Sequence, residues 1–151
     1  MIKKFIIIIF VTLFLSACGY SSLYNDLDDK SLNLKIIEIT GDKELNNFIL
    51  LNLNKYRDKQ GEQIKMKINT NYSKSVVSRD TKGSITNYQL IASAIFTIEN
   101  NNENQTINMN KDFIMKNINN KYEKKNYEKT IKKNLSNSIA NELILKLTSI
   151  K

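Results

Sequence analysis

The run from Asn87 to Glu99 restricts the fold of this chain most, because it has the alternation of a long β-strand. One face of this strand carries a continuous set of apolar side chains: Tyr88, Leu90, Ala92, Ala94, Phe96 and Ile98. The other face still carries Ile91 and Ile95. A strand that is apolar on one face and partly apolar on the other is predicted to lie at the centre of a sheet, covered on both sides.

The other segments supply neighbours for this strand. Their predicted positions are a strand at 32–39, a helix at 43–59, a strand at 64–72, a hairpin at 73–84, a strand at 105–116 and a helix from 120 to the end. Asp42 is the expected N-cap of the first helix, and Asn120 with Glu123 forms a capping pattern for the second. The order predicts an α+β fold, β-α-β-β-β-α, in which a four-stranded mixed sheet has both helices packed on one face. The second face of the sheet then needs another cover, for which a partner is one candidate.

The first 18 residues have the pattern of an export signal. A short positive start, Met1–Lys4, precedes eleven mostly apolar residues, which is too short to span a bilayer but suits a signal peptide. The signal ends in Leu15-Ser16-Ala17-Cys18, which resembles a bacterial lipobox, and this resemblance implies a diacylglycerol on the Cys18 thiol. We therefore predict a removed signal peptide at 1–17, a lipid-anchored tether at 18–30 and a single domain at 31–151. Gly19, where inner-membrane lipoproteins commonly carry Asp, favours the outer membrane.

The composition limits the classes of function. The 23 Lys and Arg residues exceed the 15 Asp and Glu residues, which favours anionic partners such as phosphorylated lipids or an acidic protein surface. Export makes nucleic acid a poor candidate for a partner. The chain has no His, so neither a Ser-His nor a Cys-His pair can form, and its only thiol is expected to carry lipid. We expect no enzymatic activity, no metal site and no cofactor besides the covalent lipid on Cys18.

Several segments together resemble the LptE family, the outer-membrane lipoproteins of lipopolysaccharide assembly. They are Cys18-Gly19-Tyr20, the segment Leu34–Ile39 followed by Gly41-Asp42, the segment Arg79–Gly83 followed by Asn87-Tyr88-Gln89-Leu90, and the segment Ala140–Ile150. The resemblance implies a domain held in the lumen of an LptD-like β-barrel, which it helps to assemble while aiding lipopolysaccharide delivery to the outer leaflet. The chain departs from the family pattern in having no proline.

The resemblance also suggests which residues act. Arg79 and Lys82, in the basic hairpin, and Lys124 and Lys125, near the start of the last helix, are candidate contacts for lipopolysaccharide phosphates. The alternatives are a solvated hairpin tip and the solvent-facing side of an amphipathic helix whose lysines are Lys121, Lys124, Lys125, Lys129, Lys132 and Lys133. Tyr20, Tyr24 and Tyr88 are candidate contacts with the barrel, although Tyr88 also fits a position in the core.

Two other functions compete with this one. A lipid-anchored accessory subunit of an ABC-type lipid transporter in the periplasm can have a similar size and a similar lipobox. A surface-structural lipoprotein without a transport role is the third possibility. The first function predicts a stable complex with an outer-membrane barrel, the second predicts copurification with an inner-membrane permease, and the third predicts neither.

Overall fold

The computed structural model describes residues 32–60, 62–99 and 104–150. In chain order its elements are β1 (Asn33–Gly41), α1 (Lys43–Leu53), a 3₁₀ turn (Asn54–Tyr56), β2 (Gln63–Arg79), β3 (Ile85–Glu99), β4 (Asn104–Lys116) and α2 (Lys121–Ile150). This order confirms the predicted α+β fold, β-α-β-β-β-α.

The four strands form one mixed sheet in the order β1-β2-β3-β4. β1 runs parallel to β2 through the crossover helix α1, whereas β2, β3 and β4 are antiparallel neighbours along the chain. Phe96, near the middle of β3, is paired with Ile68 on one side and Ile107 on the other. Directly paired residues share a face of an antiparallel sheet, so these three side chains form one apolar row.

Both helices bury an apolar stripe in the core that lies on one face of the sheet. In α1 this stripe is Leu45, Ile49 and Leu53, and in α2 it is a residue at every fourth position: Ile131, Leu135, Ile139, Leu143 and Leu147. The sheet contributes its alternating set, including Leu90 and Phe96, which are fully buried. Each fully buried side chain of this size contributes about 1.5–3 kcal/mol relative to exposure. The apolar face of the sheet is therefore the face that both helices cover.

A tight turn connects β1 to α1. Gly41 adopts φ +98, and Asp42 caps the helix as predicted, its carboxylate accepting a hydrogen bond from the Leu45 amide at 2.8 Å. The Asp42 amide donates to the Thr70 carbonyl of β2 at 3.3 Å. Beside it, the Thr70 hydroxyl donates to the side-chain oxygen of Asn46 at 2.6 Å. These bonds hold the start of α1 against the middle of β2.

Two element boundaries differ from the predictions. The predicted hairpin at 73–84 is mostly strand, because β2 continues to Arg79 and only the turn from Asp80 to Ser84 lies between it and β3. The predicted helix at 43–59 ends earlier, at Leu53, and is followed by the 3₁₀ turn. Arg57 then forms a parallel bridge with Leu34, so the chain is already extended two residues before the predicted helix end.

The second face of the sheet is uncovered by any described element. It carries mainly Asn, Ser, Thr and Lys side chains, with Ile95 and Ile114 standing 43% and 49% exposed among them. We call it the open face. The strand pattern predicted a cover on both sides of β3, and the described part of the chain supplies a cover on one side only.

Candidate functional site

Three residues singled out from the sequence lie outside the described residues. These are Cys18, the expected lipid attachment point, and the candidate barrel contacts Tyr20 and Tyr24. The described chain begins at Leu32, whose side chain is already buried in the core. The predicted tether at 18–30 and the predicted start of the domain at residue 31 also lie outside the described residues.

The β2–β3 turn presents Arg79 and Lys82 in different ways. The carboxylate of Asp80 accepts hydrogen bonds from the backbone amides of Lys82 and Ser84 at 2.9 and 2.8 Å, and this arrangement shapes the turn. The Arg79 guanidinium donates to the Gly83 carbonyl at 2.9 Å, so it folds back over its own turn. Lys82 is exposed, and its ammonium group forms no ion pair among the described residues. Of the two cations, Lys82 is therefore the one that faces solvent.

Lys124 lies between α2 and the sheet. Its ammonium group donates to the Tyr88 hydroxyl at 2.9 Å and to the side-chain oxygen of Asn117 at 2.8 Å. It also lies 4.2 Å from the centroid of the Tyr88 ring, and Lys74 of β2 lies 4.6 Å from the same centroid. Tyr88 is on the helix-covered face, in contact with two ammonium groups. Contacts of this kind stabilise a cation by about 0.5–1 kcal/mol at exposed sites and by more when desolvated.

The contacts continue from Tyr88 along the side of α2 that faces the sheet. Glu128 pairs with Lys74 and accepts a hydrogen bond from the Tyr72 hydroxyl at 3.1 Å. Lys132 lies 4.0 Å from the centroid of the Tyr72 ring. Burial, together with the neighbouring Glu128 carboxylate, raises the pKa of Tyr72, so its hydroxyl stays protonated and remains a donor at neutral pH. In space, ammonium groups and tyrosine rings thus alternate in the order Lys124, Tyr88, Lys74, Tyr72 and Lys132, with Glu128 between Lys74 and Tyr72.

Lys132 ends this network in a buried ion pair. Its ammonium group lies 3.4 Å from the Asp42 carboxylate and 3.1 Å from the Glu44 carboxylate, both at the start of α1. Only 8% of Lys132 is exposed. The interpretation that placed it on the solvent-facing side of α2 is therefore wrong, because that position of the helix faces two carboxylates and an aromatic ring.

Lys125 is exposed, unlike its neighbour Lys124. Together with Tyr122, Lys129 and other residues of α2 it lines a shallow groove of about 450 Å³, and Glu44 of α1 forms part of its rim. The two adjacent lysines thus have separate roles. Lys124 holds the helix to the sheet, and Lys125 presents a charge to solvent.

The candidate cations share one end of the domain. Arg79 is paired with Ile85, which precedes Tyr88 by three residues on β3, so the turn lies roughly 10 Å along the sheet from the Lys124 contact. In the described ranges, no three Asp, Glu, Cys or His side chains come together as a set of metal ligands. The helices described here are also too short or too polar to cross a membrane. The exposed ammonium groups at this end are those of Lys82 and Lys125, and such groups can attract anions through charge.

Solved bacterial lipoproteins share this fold. The crystal structure of rare lipoprotein B from Shewanella oneidensis matches with a TM-score of 0.60 at 16% identity, over 78% of this chain and 95% of that one. The solution structure of an uncharacterized lipoprotein B from Nitrosomonas europaea matches with a TM-score of 0.57 at 10% identity, over 86% of this chain and 92% of that one. Comparison with protein-family models gives no match, and comparison with curated proteins gives none either. At these identities the likeness shows a shared fold.

Proposed function

We propose that this chain is an outer-membrane lipoprotein that plugs and helps assemble the lipopolysaccharide translocon barrel, and that it aids lipopolysaccharide delivery to the outer leaflet without catalysis. Its domain would lie in the periplasm and the barrel lumen, tethered by lipid on Cys18. The observation that carries the proposal is the domain itself, which has the fold of solved bacterial lipoproteins and follows a lipobox. The resemblance of the sequence to the LptE family supplies the barrel and the glycolipid as partners.

The open face suits contact with the inner wall of a barrel. Barrel interiors of the outer-membrane type are polar, and most of this face carries Asn, Ser and Thr side chains that can exchange hydrogen bonds with such a wall. Ile95 and Ile114 lie on the same face about 20 Å apart, because Ile95 pairs with Asn108 whereas Ile114 pairs with Gln89, six residues away along β3. They give the polar face two separate apolar positions, and protein interfaces commonly combine apolar and polar contacts.

Affinity purification of tagged chain from its native envelope tests this partner. Stoichiometric recovery of a large outer-membrane β-barrel through size exclusion in detergent supports the plug, whereas recovery of an inner-membrane permease supports the ABC-transporter alternative. A double variant, Ile95→Lys with Ile114→Lys, is expected to lose the barrel. The matched control is Leu51→Lys, because Leu51 is 66% exposed on α1, away from the open face. Equal barrel recovery with both variants would place the contact elsewhere.

Lipopolysaccharide binding needs its own measurement. Lys82 and Lys125 expose their ammonium groups, while Arg79 and Lys124 already have partners within the domain. Reversal of the two hairpin charges, Arg79→Glu with Lys82→Glu, should weaken binding of purified lipopolysaccharide. A charge-matched control is Lys43→Glu with Lys59→Glu, two exposed positions outside the hairpin and α2. Unchanged affinity of the hairpin variant would remove these residues from the site.

A further inference from the structure

A second basic surface follows the outer side of α2. Four exposed lysines recur at every fourth position: Lys121, Lys125, Lys129 and Lys133. We call them the lysine row. At 1.5 Å per residue the row is about 18 Å long, and Lys129 lies about 200° around the helix from Ile131 of the apolar stripe. All four side chains are exposed, so the row lies on the solvent-facing part of α2.

Two of the acidic residues near this row pair with other lysines, and the exposed Glu123 in the first turn of α2 accepts a hydrogen bond from Asn120 at 3.4 Å. Glu128 pairs with Lys74 on the sheet side of the helix, and Glu44 pairs with the buried Lys132. None of the four ammonium groups forms an ion pair within the described residues. By contrast, Lys146, near the other end of α2, pairs with Glu142 one turn before it. Like charges four residues apart weaken a helix, so the row costs stability that its own domain does not offset.

An exposed aromatic ring accompanies the row. Tyr122 is 74% exposed and lines the groove that Lys125 and Lys129 also line. Tyrosine and lysine both have an apolar body with a polar tip, and such side chains are favoured at the headgroup level of a bilayer. A row of ammonium groups beside a tyrosine ring thus fits lipid phosphates above an apolar layer.

We propose that the lysine row docks this domain on an anionic phospholipid surface, with its ammonium groups against the headgroup phosphates. The predicted lipid on Cys18 would place such a surface within reach. Leu32 follows Cys18 by 14 residues, and a chain of that length spans at most about 50 Å. Lys125 is shared with the proposed lipopolysaccharide contact, but the docking requires neither the barrel nor lipopolysaccharide, so it can hold or fail separately from the proposed function.

Vesicle binding tests the proposal with the chain from residue 18 carrying Cys18→Ser, which removes the anchor. The probes are vesicles of phosphatidylethanolamine with about 30% phosphatidylglycerol and vesicles of neutral phosphatidylcholine. We expect binding to the anionic vesicles that weakens as salt is added. Each lysine near an anionic surface strengthens partition about fivefold, so Lys125→Gln with Lys129→Gln should lower the partition coefficient about 30-fold.

The matched control is Lys35→Gln with Lys65→Gln. These two lysines are exposed, are directly paired on β1 and β2, and lie on the open face, so the variant loses the same charge at another surface. A change of less than about threefold is expected for it, and thermal unfolding of both variants should match the parent. The proposal is overturned if the parent binds neutral and anionic vesicles equally, or if both variants lose equal binding. Binding to lipopolysaccharide aggregates without binding to the anionic vesicles overturns it as well.

Discussion

Substitution of Gly41 by alanine gives a sharp test of how β1 meets β2. A Cβ atom at this position would lie 1.8 Å from the Thr70 carbonyl oxygen and 2.7 Å from its carbon, in a backbone with φ +98. Gly83, in the β2–β3 turn, also has a positive φ, +82, but a Cβ there meets nothing within 4 Å. The two substitutions therefore share the conformational strain and differ in the steric overlap.

The structure gives a magnitude for each variant. An alanine forced into a left-handed conformation costs about 1–2 kcal/mol, and the lower entropy of the unfolded chain returns about 0.4–1 kcal/mol. Gly83→Ala should thus destabilise the domain by about 1 kcal/mol. Gly41→Ala adds a backbone displacement, and overpacking of this kind costs about 1–3 kcal/mol. The expected total for Gly41→Ala is about 3 kcal/mol, because Thr70 contributes rigid backbone atoms to the overlap.

Urea unfolding followed by far-UV circular dichroism measures the difference, since the chain has no Trp for fluorescence. With a slope of about 1–3 kcal/mol per molar urea, a gap of about 2 kcal/mol separates the two midpoints by roughly 1 M. The Gly41→Ala midpoint should be the lower of the two. If the two midpoints coincide, the close approach between the end of β1 and the Thr70 backbone does not exist.

Two further predictions concern charged groups. Lys132→Met should lower the free energy of unfolding, measured in urea, by about 1–2 kcal/mol, because it leaves two carboxylates at the start of α1 without their cation. Lys111→Met removes the cation of a more exposed pair, with Glu142, and should lower it by less than about 1 kcal/mol. Equal losses in the two variants would contradict the difference in burial. Hydrogen bonds and charge from Lys111 and Lys146 hold the pKa of Glu142 below its usual range. The stability that Glu142 contributes through these two lysines is therefore present above the ordinary carboxyl pKa, and it declines as pH falls through the lowered pKa of the folded state. Glu142→Gln should therefore unfold more easily than the parent at pH 7, and the gap should narrow as pH falls below the ordinary carboxyl pKa; a gap independent of pH would contradict this assignment.

The sequence predicted the parts of the fold that local periodicity determines. Alternation over two residues located β3 and the first half of β2, and the spacing of four residues located the buried stripe of α2. Asp42 was recognised as a cap because its hydrogen bond reaches only three residues along the chain, to Leu45. Each of these signals is contained within one element, so no knowledge of the tertiary structure was needed to read it.

Features that depend on distant residues could not be predicted in the same way. Residues 73–79 contain Ser, Lys and Arg and resemble a loop when read alone, yet they form a strand because they pair with β3, as Ser73 does with Ile91. Lysines interleaved with Glu123 and Glu128 along the start of α2 predict a solvent-facing helix side that includes Lys132. Its carboxylate partners, Asp42 and Glu44, precede it by about 90 residues, and no spacing rule connects positions so far apart.

The strand order has a consequence for how the domain is assembled. β2, β3 and β4 are consecutive along the chain and can pair through short connections. β1, by contrast, lies at the edge of the sheet and pairs with one strand, β2, in parallel orientation. Synthesis completes β1 and α1 first, but their lasting contacts are with β2 and with α2, which is made last. β1 and α1 therefore cannot complete their contacts until β2 and α2 have emerged, and until then their apolar residues are open to aggregation. A chain of this topology needs protection early in folding, and a truncation before α2 should leave α1 without the helix that it packs against.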